Sequence, residues 1–101
     1  MTLYGIDISN HQGDFPVGPA MDEGFDFCIA KSGQGTWYDD QYFHRNVDLT
    51  RSSNKVPGGY HWLENGSGAA QARRFYNRCS ASGLDGMLAS CDNENDADWP
   101  T

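Results

Sequence analysis

Two acids, Asp92 and Glu94, stand two residues apart directly after an apolar run that ends at Cys91. In extended backbone, side chains at i and i+2 project to the same face, with Cα atoms roughly 6.5 to 7 Å apart. Two carboxyls sharing a cleft separate their proton affinities. One is held protonated to higher pH and can act as a general acid at a leaving oxygen, while the other stays ionised. A third acid, Asp7, lies inside the apolar run Tyr4-Gly5-Ile6-Asp7-Ile8. An ionised carboxylate in a central strand is costly unless it is paired, hydrogen-bonded or facing a polar cleft. Plainer roles compete: Asn93, Asn95, Asp96 and Asp98 make the pair look like part of a solvated loop, and Asp7 could bond loop amides or Ser9.

The elements that must position these acids follow from the apolar runs Leu3 to Ile8, Phe25 to Ala30, Val56 to Leu63 and Gly86 to Cys91. The intervals between them are long enough for crossovers, which predicts a βαβαβαβ order and a parallel sheet, in an α/β barrel or an open sheet. Asp39 to Asn54, with Phe43, Val47 and Thr50 near helical spacing, predicts an amphipathic helix. Ser67 to Ser82 predicts another, with Ala69, Ala72, Phe75, Tyr76 and Cys79 on its apolar side, Ser67 as N-cap and Gly83 just past its end. The connection Asn10 to Gly24 carries Pro16, Pro19 and three glycines, so a loop with at most a short helix at Ala20 to Glu23 is expected. Parallel α/β folds build their sites at the C-terminal ends of strands. There stand Asp7, then Lys31 and Ser32, then Tyr60 and Trp62, then Asp92 with Glu94.

Composition narrows the function classes. Seven Lys and Arg against fourteen Asp and Glu give a net charge of -7, and Arg73-Arg74 is the only adjacent basic pair, so no footprint for nucleic acid exists. The apolar runs are too short for a membrane-spanning helix. The first residues lack the basic and apolar regions of a secretory signal, which predicts residence in the producing cell's cytoplasm until lysis or release. Cys28, Cys79 and Cys91 are odd in number and show no CxxC spacing, so buried thiols are expected in place of a disulfide framework or zinc site. A 13% aromatic content beside many carboxylates suits carbohydrate, because rings stack on sugar faces.

Five segments in order then carry a family resemblance. Tyr4 to Gly13 (YGIDISNHQG) resembles the opening motif of glycoside hydrolase family 25, whose lysozymes have a modified β/α barrel. Phe27 to Thr36 is similar to its second-strand motif, Gly58-Gly59-Tyr60-His61-Trp62 to its third, Gln71-Ala72 with Phe75 to its following helix, and Asp92-Asn93-Glu94 to its Asp-x-Glu pair. The resemblance implies hydrolysis of the β-1,4 bond between N-acetylmuramic acid and N-acetylglucosamine in peptidoglycan, without metal or cofactor. It implies Glu94 as proton donor, Asp92 as the residue that orients the acetamido group or stabilises charge, and Asp7 as a further cleft carboxylate. Tyr60 would line the sugar site with Lys31 and Gln34, and Trp62 would offer a stacking platform. His11 and His61 fit hydrogen-bonding roles better than proton transfer.

Two departures matter. Gln34 stands where the family often has an acidic residue, and the chain stops at Thr101, just past the fourth strand, whereas such barrels take about 200 residues or more. Residues 1–101 are therefore expected to form a single N-terminal segment, the first half of a TIM-like barrel, with the C-terminal half absent. An open half-barrel predicts association with a complementing half or with a second copy. The alternative is a catalytically incomplete cell-wall-binding or structural subunit.

Overall fold

A computed structural model describes residues 2–84 and the backbone of the strand at 88–92. The chain runs β1 (Gly5–Ile8), a 3-10 turn (Asn10–Gln12), α1 (Val17–Asp22), β2 (Phe27–Gln34), β3 (Tyr38–Asp39), α2 (Phe43–Ser52), β4 (Val56–Trp62), α3 (Gly68–Ala81) and β5 (Leu88–Asp92). The fold is mixed α/β. The parallel strands lie in the order β1-β2-β4-β5, each beside its predecessor, and β3 pairs antiparallel with β2. All four expected strands are present, with β2 continuing four residues past the expected Ala30 end. The β2–β3 hairpin was not expected, because a two-residue strand carries no readable alternation.

Period-two geometry divides the sheet into two faces. Ile8 and Cys28 pack with Val17 and Met21 of α1, while Ala30 packs with Phe43 and Val47 of α2 and with Leu84. The larger of these, Ile8, Val17, Met21, Phe43, Val47 and Leu84, each gain roughly 1.5–3 kcal/mol when fully buried. A Cβ at Gly59 would sit 3.2 Å from the Cys79 sulfur and from the Phe43 ring, so glycine lets α2 and α3 approach the sheet here. The alternate residues, Asp7, Ile29, Lys31, Tyr60 and Trp62, lie on the other face, where among the described residues no helix packs.

The helices begin and end for local reasons. Pro16 precedes α1 and Pro19 sits in its first turn, where a missing N–H costs nothing, so the helix starts earlier than the expected Ala20. Asn54 adopts φ +60 just past α2, a left-handed position that asparagine tolerates. Ser67 caps α3, its hydroxyl accepting from the Ala70 amide at 3.1 Å, and Gly83 follows with φ +71.

The face that α3 buries differs from the expected one. Ala69, Ala72 and Tyr76 are exposed, whereas Gln71 is buried and Phe75, Arg78 and Cys79 are half-buried. Polar docking rotates the helix. The Gln71 amide accepts from the Glu64 N–H at 3.1 Å and donates to the Glu64 carbonyl at 2.7 Å. Arg74 pairs with Asp39 at 2.8 Å, and Arg78 donates to the Asp40 carbonyl at 2.6 Å. Satisfying the buried Gln71 amide and the part-buried Arg78 outweighs covering two alanines, since an unmade buried hydrogen bond costs about 1–3 kcal/mol. Cys28 is buried and Cys79 half-buried, and no disulfide joins the two. Burial pushes the Cys28 thiol pKa up, against a hydrogen bond with Thr50 and with help from the Asp7 charge.

Candidate active site

Lys31 is the centre of the described site. It is 5% exposed on the open face of β2, and a buried ammonium needs partners. Its Nζ donates to Gln34 Oε1 at 2.7 Å and lies 5.4 Å from the Tyr38 ring centroid and 5.3 Å from that of Trp62. A desolvated cation over an aromatic face gains about 2 kcal/mol. The Lys31–Gln34 approach exists because β2 has a register shift between Lys31 and Gly33, which brings Gln34 level with Trp62.

Gln34 passes the polarity onward. Its Nε2 donates to Glu64 Oε2 at 3.1 Å, and the other Glu64 oxygen accepts from Trp37 Nε1 at 2.5 Å. Lysine ammonium and glutamate carboxylate are thus joined through one amide. Gly35 makes the contact possible: it has φ +56, and a Cβ there would fall 2.3 Å from Glu64 Oε1. Asn10, His11, Lys31, Gln34, Trp37 and Tyr38 line a cavity of about 180 Å³. Its far wall is held by Asp40, which is 1% exposed and accepts from the Asn10 amide at 2.8 Å and from the Tyr42 amide at 2.8 Å. Ser9 and Gln12 close the 3-10 turn through a reciprocal capping box.

Of the residues singled out in the sequence, Lys31, Gln34 and Trp62 are brought together, and Tyr60 lies on the same strand face, level with Lys31. Asp7 is exposed on that face, one strand from Lys31 and level with Ile29. Asp92 is level with Trp62, which is level with Gln34, so backbone register places it in that row; its side chain lies outside the described residues. Glu94 also lies outside them. His61 is 1% exposed and sits on the helix-covered face, its ring 5.8 Å from that of Phe75. Burial lowers its pKa first, against the nearby Gln71 side chain and Gly35 backbone, with Arg74 and Lys31 lowering it further. A neutral, buried imidazole there is a packing residue. His11 is exposed and edges the cavity.

Trp37, Tyr38, Glu64 and Asp40 were not singled out by sequence reasoning. Two adjacent aromatics after the Gly33-Gln34-Gly35 stretch were the available signal for the hairpin. Glu64 had none, because its partner Gln34 is thirty residues away.

Set beside known proteins, the family model described as glycosyl hydrolases family 25 matches residues 6–100, and the chain belongs to that family. Lysozyme M1 of Streptomyces globisporus is 33% identical over 75 residues, covering 72% of this chain and 26% of that protein. The structure of a family GH25 lysozyme from Aspergillus fumigatus matches with a TM-score of 0.71 at 32% identity, over 76% of this chain and 38% of that one. The catalytic domain of endolysin ply40 from bacteriophage P40 of Listeria monocytogenes shares the fold, with a TM-score of 0.78 at 19% identity over 94% of this chain and 48% of that one. The chain spans between a quarter and a third of the length of the curated relatives it matches.

Proposed function

We propose that the chain forms the first part of a peptidoglycan-cleaving site that hydrolyses the β-1,4 bond between N-acetylmuramic acid and N-acetylglucosamine. Glu94 is the proton donor, Asp92 orients the acetamido group or stabilises charge, and Asp7 is a further cleft carboxylate. Lys31, Gln34, Tyr60 and Trp62 bind the glycan. The observation that carries this reading is the sequential parallel strand order, which aims the C-terminal ends of β1, β2, β4 and β5 at one place in a chain of this family.

The register supports a half-barrel. Asp7 is level with Ile29, Gly58 and Leu88, so Asp92 lies four residues further along, three strands away. In a flat sheet that offset would part the two acids. Eight-stranded barrels have a shear of 8, about one residue per strand, so three steps recover about three of the four residues. A sheet rolled in this way would set the ends of β1 and β5 at nearly one height, which supports a shared cleft.

The test is release of reducing ends from purified peptidoglycan by the chain, with Glu94→Gln as the variant. Loss of a general acid lowers turnover by roughly 10²–10⁴-fold. Unchanged turnover with an unchanged circular dichroism spectrum removes Glu94 from its role.

A second reading is favoured by one observation: the face carrying Asp7, Ile29 and Trp62 has no helix over it among the described residues. That open face then takes up glycan or a partner without turnover, and the chain acts as a catalytically incomplete cell-wall-binding subunit. Sedimentation with insoluble peptidoglycan without release of soluble fragments distinguishes this case.

A further inference from the structure

Trp37 is 64% exposed, yet its ring is not a loose surface group. Its indole N–H is held by Glu64 at 2.5 Å, and Glu64 is itself fixed twice over. Its backbone is clamped in both directions by the Gln71 amide, and its second carboxylate oxygen is taken by Gln34, which is anchored on the buried Lys31. The bare backbone of Gly35 lies directly beneath, where a Cβ would come within 2.9 Å of the Trp37 ring. A single exposed aromatic needs no explanation of its own. An exposed indole anchored through Glu64 and Gln34 to a buried ammonium is preorganised, which reduces the ordering cost of binding.

We propose that the cavity between the Asn10–Gln12 turn and the β2–β3 hairpin is a subsite for one N-acetylhexosamine ring, with Trp37 as its stacking platform. It rests on the glycan-binding reading above and deepens it: Lys31 and Gln34 of the cavity wall already have a role there, whereas Trp37, Tyr38, Asn10 and His11 do not. A pyranose offers an apolar C–H face to an indole and a rim of hydroxyl and amide groups to polar neighbours. Here the indole lines the cavity together with the polar groups of Asn10, His11, Lys31 and Gln34. The volume, about 180 Å³, is below the roughly 300–1,000 Å³ of drug-sized pockets and suits a single ring. The carboxylate of Glu64 is committed to Trp37 and Gln34, so it acts as a positioning residue for the platform.

The experiment titrates the full chain with N-acetylglucosamine trisaccharide and follows the Trp37 indole N–H resonance by NMR. Saturable binding that shifts this resonance is expected. Trp37→Phe, which keeps an aromatic face, stays within a few-fold, Trp37→Ala weakens binding at least tenfold, and Glu64→Ala weakens it several-fold by freeing the ring. Absence of saturable binding to the unsubstituted chain, or equal binding by Trp37→Ala, overturns the subsite. Trp37-dependent binding without release of reducing ends from peptidoglycan upholds the subsite and rejects hydrolysis by this chain. Release of reducing ends with the same KM in Trp37→Ala rejects the subsite and leaves the hydrolase reading standing.

Discussion

On the helix-covered face of the sheet, Ile8, Cys28, Ala30 and His61 are each no more than 3% exposed, whereas on the opposite face Asp7 is exposed and Ile29, Tyr60 and Trp62 are only half-buried. The first face is closed by α1, α2 and α3, with small residues where helices must come near. The second holds the buried Lys31 ammonium on aromatic rings and an amide and leaves its other described residues open. Stability is concentrated on one side of the strands, and the groups capable of recognising a ligand on the other. Fold and site can therefore be perturbed separately, which is uncommon where a site is buried in the core that supports it.

The sharpest way to break this division is Phe43→Ala. Phe43, at the start of α2, is fully buried against Gly59 and the Arg78 guanidinium. Its truncation should lower unfolding free energy by about 3–5 kcal/mol in a denaturant titration, the range for a buried aromatic. A loss under about 1 kcal/mol would show that the helix-covered face is not the stabilising one.

Gly35→Ala probes the opposite side with a smaller effect. The left-handed φ alone costs an alanine about 1–2 kcal/mol, and its Cβ would collide with Glu64. The expected outcome is modest destabilisation together with a shifted Trp37 indole resonance. An unmoved resonance would mean that Glu64 does not hold the ring.

The smallest effect concerns His44, at the rim between α2 and α3. Arg78 can only donate, so the 3.3 Å approach of its NH1 to His44 Nε2 requires that nitrogen to accept, and Nδ1–H then donates to the Ser82 hydroxyl. Burial lowers the His44 pKa first and the Arg78 charge lowers it further, with Asp48 and Asp39 opposing. A histidine with a depressed folded pKa contributes stability that is fully present above its unfolded value, about 6.5, and is lost as pH falls through the folded value. Denaturation midpoints should therefore fall on acidification below about pH 6.5, less steeply in His44→Gln. His61, lowered as well, supplies the slope that remains. Identical slopes in the two proteins would exclude His44 as a contributor.

Much of the architecture was legible before any coordinates. The four parallel strands announce themselves as short apolar runs separated by crossover-length intervals. Ser67 and Gly83 mark the ends of α3, because capping and left-handed termini are local chemistry. Lys31, Gln34 and Trp62 were legible as candidates because strand ends and a family motif point to them. Period alone misassigned the buried side of α3. An apolar stripe predicts burial only where covering it matters more than satisfying Gln71 and the two arginines.

What the sequence by itself determined is the four parallel strands, the two longer helices and the family, since caps, strand runs and ordered motifs depend on near neighbours and on residue type. Tertiary structure alone decided that Gln34, lacking a charge, bridges Lys31 to Glu64, and that Glu64 holds Trp37 upright. Those contacts join residues up to thirty apart through a bulge in β2 and a glycine turn. A side-chain chain of that kind follows from where the backbone brings its members, and no spacing along the sequence encodes it.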